Sequence, residues 1–322
     1  MTSRRAFLGA AAGALVLAGS GLRPAAARGQ PRELRIGYQK EGILAVVRQR
    51  GTLEARLAKL GGGKVRWVAF PFGPPMLEAL GAGSIDLGSV GDTPPVFAQS
   101  AGAPIVYVAS TPATQNAILV RPDSPVRSVT ELAGKTIAIA RGSSSHNFTI
   151  QALGRAGLAF GAITPAYLGP AEALAAFTRG EVDAWTVWDP YVAMAELDHG
   201  ARPIAATETD RPGNSFYLAN RQFADRHGRL LAAILDELRR TYRWADRHRG
   251  RVATLISQIT GVDPAAQERT IRRLRIELRP MDDAATAEQQ KIADAFHALA
   301  LIPRPIRVAE AVWRGWATQR RP

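Results

Sequence analysis

The informative residues of this chain fall in five short stretches at strand–loop junctions. They are Tyr38-Gln39-Lys40-Glu41-Gly42, Phe70-Pro71-Phe72-Gly73-Pro74, Gly88-Ser89-Val90-Gly91-Asp92-Thr93-Pro94-Pro95, Arg141-Gly142-Ser143-Ser144-Ser145-His146-Asn147 and Trp185-Thr186-Val187-Trp188-Asp189-Pro190-Tyr191. The fourth has a direct physical meaning. A helix N-terminus exposes unpaired N–H groups and the positive end of its dipole, and serine hydroxyls add further donors. Only Arg141 and His146 are basic there, so the stretch suits a compact monoanion held by neutral donors. Helix capping alone is the plainer reading, but three consecutive serines exceed its needs. Asp92 and Asp189 stand just ahead of prolines at helix starts, where aspartate is a good N-cap. Capping and ligand contact are compatible roles for both.

Enzyme chemistry finds little support in the same residues. Ser143 to Ser145 lie beside His146, yet G-x-S-x-G is missing. No Gly-Lys-Ser/Thr follows the glycine, which excludes a Walker A loop. The other histidines, His199, His227, His248 and His297, show neither H-x-x-x-H nor H-E-x-x-H spacing, so no metal site is expected. Cysteine is absent, which removes disulfides, thiol catalysis, cysteine-ligated zinc and iron–sulfur clusters. No cofactor is expected.

The elements that must position these loops are short β-branched runs alternating with Ala/Leu-rich helical stretches. Strands are expected at Leu34–Tyr38, Val65–Phe70, Ile85–Gly88, Ile105–Ala109, Ala117–Val120, Thr136–Ala140, Ala166–Leu168, Ala184–Val187 and Phe216–Ala219. Helical spacing fills the intervals, beginning with Ala45–Leu60. This alternation predicts an α/β fold with largely parallel sheets. From Asp225 to Ala300 the pattern is helical throughout. Two α/β halves, with a helical C-terminal tail covering one of them, follow. Ligands of open α/β sheets bind beyond the carboxyl ends of the strands, so the five loops should face one crevice.

The chain has 322 residues, 46% hydrophobic and 21% charged, which suits a globular protein rather than a disordered one. Lys and Arg outnumber Asp and Glu by 41 to 28, giving +13. Most of that excess lies after Asn220, on helix-patterned segments where acids are interspersed. An Arg-rich solvated face explains this better than nucleic-acid binding, which favours a single basic stripe. Residues 1–27 read as a secretory signal: Arg4-Arg5 with Phe7-Leu8, an apolar core, then Ala25-Ala26-Ala27. The arginine pair points to the twin-arginine route. With no cysteine at the cleavage site, the mature protein should be free in the periplasm.

At the five loops the chain resembles the periplasmic aliphatic sulfonate-binding proteins that serve ABC importers. The resemblance rests on Leu34-Arg35-Ile36-Gly37-Tyr38-Gln39-Lys40, Gly83-Ser84-Ile85-Asp86-Leu87-Gly88-Ser89, Gly91-Asp92 and Pro94-Pro95 in the first half. Gly142-Ser143-Ser144-Ser145-His146-Asn147, Trp188-Asp189-Pro190-Tyr191 and Ser215-Phe216-Tyr217-Leu218-Ala219 carry it in the second. It departs at Phe72 and Pro75, beside the cleft. Relatives that bind taurine or nitrate share the general pattern, and synthases of pyrimidine precursors share the fold but carry a cysteine cluster.

The resemblance implies a two-lobed, type II binding protein with two chain crossings, near Ile118–Val120 and Asn214–Tyr217. Lobe one would be 34–117 plus 216–322, and lobe two 118–215. It implies ligand contacts at Gln39, Gly91, Asp92, Ser143, Ser144, Ser145, His146, Trp188 and Asp189. It also implies a monomer that delivers an alkanesulfonate to an importer permease. A sulfonate carries one delocalised charge and no proton, so it asks for donors alone. Gln39, the serines and the Gly91 and Asp92 amides can supply them, and Trp188 either packs on the alkyl tail or belongs to the sheet core.

Overall fold

The computed structural model describes residues 33–60, 63–207 and 213–318; the expected signal, 1–27, lies outside them. The chain opens with β1 (Glu33–Tyr38), α1 (Ile43–Arg50), α2 (Thr52–Lys59), β2 (Lys64–Ala69), α3 (Gly73–Gly81), β3 (Leu87–Val90), α4 (Thr93–Ser100) and β4 (Ile105–Pro112). A second group follows: β5 (Asn116–Val120), β6 (Thr136–Ile139), α5 (Ser144–Arg155), β7 (Thr164–Tyr167), α6 (Pro170–Arg179), β8 (Ala184–Trp188), α7 (Tyr191–His199) and β9 (Arg202–Ala206). Then come β10 (Asn214–Asn220) and the tail: α8 (Arg221–Arg226), α9 (Gly228–Arg247), α10 (Arg249–Thr260), α11 (Pro264–Arg273), α12 (Asp283–Ala298) and α13 (Gly315–Thr318).

Two five-stranded sheets result, in the orders β2-β1-β3-β10-β4 and β7-β6-β8-β5-β9. They are mixed rather than largely parallel. β1 pairs parallel with β2 and β3, and β6 with β7 and β8. β10 runs antiparallel to β3 and β4, and β5 antiparallel to β8 and β9. The reason is topological. A strand entering from the other sheet has no helical crossover to reverse it, so it arrives head-on. The sheet changes between Pro112 and Asn116 and again between Ala206 and Asn214; the expected crossings at 118–120 and 214–217 lie within β5 and β10.

Two local differences from the sequence pattern have plain causes. The single helix read over Ala45–Leu60 is broken at Gly51, whose φ of +61° ends α1 in the left-handed conformation. β9 carries Pro203, which weakens its strand signal, but it lies at a sheet edge where a missing N–H is tolerated.

Each sheet is covered on both faces. On one face of the first sheet, Ile36 and Leu87 pack with Val46, Leu235, Leu238 and Ile256. The apolar residues Leu231, Ile234, Leu235, Leu238, Tyr242 and Ala245 of α9 fall at helical spacing, which turns one stripe to that core. On the other face Met76, Leu80, Tyr107 and Phe216 meet Phe296 and Ile292 of α12. The tail therefore clothes the first sheet from both sides. The second sheet is enclosed by its own helices, with Trp185 and Phe177 on one face and Ile118, Ile137 and Leu153 on the other.

Candidate functional site

The carboxyl ends of the strands from both sheets converge on one cavity of about 140 Å³. One water occupies roughly 10–15 Å³ on that measure, so the space suits a small organic molecule. From the second sheet come Ser143 and Ser144 at the start of α5, with Trp188 and Asp189 after β8. From the first come Gln39 and Glu41 after β1, and Ser89 and Gly91 at the end of β3. The tail contributes Tyr242, Thr270 and Arg275.

The serine turn is held rigidly. Ser143 donates its hydroxyl to the Ala140 carbonyl at 2.6 Å and shares a 2.8 Å hydrogen bond with the Ser145 hydroxyl. Ser144 donates to Asn116 Oδ1 at 3.2 Å. The first bonds of the α5 turn run from the His146 and Asn147 amides to the Ser143 carbonyl. The Ser144 and Ser145 amides precede them, at the positive end of the helix. Across the cleft Gly91 sits so close that a Cβ there would lie 2.9 Å from Ser144 Cβ. Only a glycine lets the two walls approach this far. Gln39 reaches across the first sheet to donate to the Ser89 carbonyl at 3.1 Å, which fixes its amide beside the strand ends.

Six of the nine residues expected at the site line this cavity: Gln39, Gly91, Ser143, Ser144, Trp188 and Asp189. The other three stand behind it. Ser145 is fully buried and bonded to Ser143. His146 is fully buried too, its ring packed among Phe160, Tyr167 and Phe296. Its Nδ1 accepts the Gly142 N–H at 3.3 Å. Burial, reinforced by the nearby Arg141 charge, lowers its pKa to about 4, so the ring is neutral at ordinary pH. Asp92 does not cap α4 with its side chain. Its carboxylate accepts from Thr93 and, at 2.6 Å, from Asn147 on α5, which bridges the two sheets. Burial raises it to about 6 despite those bonds.

Asp189 does cap. Its Oδ1 accepts the Ala193 N–H at 3.1 Å and faces Arg273 of α11 at 3.4 Å. Burial raises it to about 6, with Arg273 opposing. Arg273 and Arg269 also pair with Glu196 of α7, at 2.6 and 3.1 Å. The tail thus touches the second group of elements as well as the first. Trp188 belongs to the core cluster around Trp185 and also lines the cavity. Phe72 packs against that same cluster from the far side of the cleft.

The residues missed by sequence reasoning are Glu41, Thr270 and Arg275. Glu41 lay inside a quoted loop and could have been found there. Thr270 and Arg275 had no local signal, because only the packing of α10 and α11 brings them to the strand ends.

A family described as NMT1/THI5 like matches residues 73–249. An aliphatic sulfonates-binding protein of Escherichia coli (strain K12) is 40% identical over 294 residues, covering 90% of this chain and 91% of that protein. One of Bacillus subtilis (strain 168) is 31% identical over 302 residues, covering 92% and 91%. Among solved structures, the alkanesulfonate-binding protein SsuA from Xanthomonas axonopodis pv. citri, bound to MOPS, superposes with a TM-score of 0.84. It is 41% identical, with 89% of this chain and 99% of that one covered.

Proposed function

This chain belongs to the NMT1/THI5-like family, among the aliphatic sulfonate-binding proteins, and from that premise we propose that it captures alkanesulfonates in its cleft. It would then deliver them in the periplasm to the permease of an ABC importer. Among the described residues no helix is long and apolar enough to cross a membrane. The observation that carries the reading is the serine turn opposite Gly91. It presents helix amides, held in place by the serine hydroxyls bonded to Ala140 and Asn116, to a cavity whose remaining surface includes the Trp188 ring. A sulfonate accepts hydrogen bonds at three oxygens, and each charge-assisted bond contributes roughly 1.5–3 kcal/mol. Four or five would support micromolar binding, near −8 kcal/mol.

In this reading the Ser144 and Ser145 amides at the start of α5, with Gly91 and Gln39, hold the anion, Ser143 fixes that turn through Ala140, and Trp188 receives the tail. The Ser145 side chain, His146 and Asp92 support from behind. The site binds rather than reacts: the Ser143 hydroxyl is spent on the Ala140 carbonyl, and His146 Nδ1 on the Gly142 amide. Among the described residues no hydrogen bond links a serine hydroxyl to a histidine ring. The two sheet-centred lobes close over the ligand, joined where the chain passes from β4 to β5 and from β9 to β10.

A thermal-shift and calorimetry panel tests this, with native mass spectrometry of whatever co-purifies. Ligand at 100 times its Kd adds about 2.7 kcal/mol, a shift of several degrees for a chain of this size. Butanesulfonate should produce it, and sulfate, phosphate or nitrate little. Equal shifts with phosphate would overturn the assignment.

A further inference from the structure

The ion pairs that join α7 to α11 cross from the covering of one sheet to that of the other. α7 packs on the second sheet, with Val192 and Ala195 in the core cluster of Trp185. α11 is fixed to the first. Its Ile271 packs in the cluster of Ile36 and Leu87, and Arg249 of α10 donates to the Ile271 and Leu274 carbonyls at 2.9 and 2.8 Å. Between the two helices, Arg269 and Arg273 donate to a single oxygen of Glu196, Oε2, at 3.1 and 2.6 Å. The Glu196 side chain is only 12% exposed. A solvated surface pair would contribute little. This one is charge-assisted and held largely out of water, so parting it strands a carboxylate that two arginines had satisfied.

The contact is joined to the cavity as well. Arg273 faces Asp189 Oδ1 at 3.4 Å, and Asp189 lines the cavity beside Trp188. Two arginines and two carboxylates thus make one network running from the cavity wall to α7. Glu196, Arg269 and Arg273 do not line the cavity themselves. If the two sheets part about the connections from β4 to β5 and from β9 to β10, α7 leaves α11 and these bonds break.

We propose that Glu196, gripped by Arg269 and Arg273, is a latch that fastens the two sheets against each other and sets how long a ligand stays in the cleft. Glu196 is a positioning residue: it acts by holding α7, and with it Trp188 and Asp189, against the tail. The proposal rests on the sulfonate reading above only for the ligand that reports on it. Its effect falls on release. A ligand enters the open form, where the latch bonds are already broken, so association is not slowed when they are removed. The closed complex loses its fastening, and dissociation speeds up.

The chain has no cysteine, so a pair introduced at exposed positions carries spin labels at two known sites. Lys59→Cys on α2 and Arg155→Cys on α5 place one label on the helices of each sheet. With saturating butane-1-sulfonate the intact labelled chain should give one closed distance, and Glu196→Gln should add an open population. Stopped-flow release of butane-1-sulfonate should be about tenfold faster in the variant, with association not slowed. Arg269→Gln leaves Arg273 on Glu196, so it should move both readouts the same way by less, and it takes over if Glu196→Gln does not fold. A variant that loses thermal stability while release rate and label distances stay unchanged overturns the latch and leaves the sulfonate reading standing. If butane-1-sulfonate does not bind the wild type, the sulfonate reading falls and the ligand-free distances decide the latch. A closed population that shrinks in Glu196→Gln then supports it, and an unchanged distribution overturns it.

Discussion

On the second-sheet wall of the cleft, Ser143 and Ser144 belong to one turn of α5, and their hydroxyls are bonded to Ala140, Ser145 and Asn116 before any ligand arrives. On the facing wall, Gln39, Gly91, Tyr242, Thr270 and Arg275 come from four separate parts of the chain. The first wall is local and pre-set. The second exists only after the tail has packed on its sheet. Anion binding gains most where donors need no reorganisation, so the two walls should respond differently to mutation.

The largest effect should come from the core that fixes the pre-set wall. Trp185 is 1% exposed beneath Trp188, and Trp185→Ala should cost about 3–5 kcal/mol in chemical denaturation. A loss below about 1 kcal/mol would mean that this wall is not rigidly supported.

Next comes the ring behind the serines. Folded His146 has a pKa near 4, whereas an unfolded histidine titrates near 6.5. Above that range neither state binds the proton. As pH falls from about 6.5 toward 4, the unfolded chain takes up a proton that the folded ring refuses, so stability is lost, on the order of 3 kcal/mol. The stability difference between wild type and His146→Gln should therefore shrink across that window, in the wild type's disfavour. Because the ring does not line the cavity, the pH profile of butanesulfonate affinity should keep its shape in the variant. A profile that changes shape would make His146 a charged anchor.

Two serine variants sharpen the contrast within one turn. Ser144→Ala removes a hydroxyl at the cavity that would turn from Asn116 to the ligand, and should weaken butanesulfonate binding about ten- to a hundredfold by calorimetry, from roughly 1.5–3 kcal/mol. Ser145→Ala removes only an internal bond, so it should lower stability by about 1 kcal/mol and move affinity far less. Equal affinity losses would erase the distinction between them. Smallest should be Gln39→Ala on the assembled wall, about fivefold in affinity, from roughly 1 kcal/mol for one net hydrogen bond.

The same contrast explains what could be read from the chain beforehand. Ser143, Ser144, Trp188 and Asp189 announce themselves because helix start, strand end and chemistry coincide within a few residues. The strand–helix alternation likewise gives both sheets, since burial on two faces demands β-branched runs. Arg275 and Thr270 were illegible: they sit in an Arg-rich helical region with nothing local to separate them from a solvated face. His146 misled for a related reason. Its neighbours in sequence are polar serines, but its neighbours in space are Phe160, Tyr167 and Phe296. The antiparallel strands escaped because pairing direction depends on where the chain comes from, not on which residues it contains.

The position of β10 has a bearing on synthesis. It fills the slot between β3 and β4, about a hundred residues after β4 has left the ribosome. Until then those two strands lack their shared partner, while the elements from β5 to β9 already form a closed set. The second lobe can therefore mature during translation, and the first must wait with two open strand edges for its last third to emerge. Non-local pairing of this kind is slow and leaves edges vulnerable to foreign strands. A protein built this way benefits from being held back until the chain is complete, and handed onward only as a finished object.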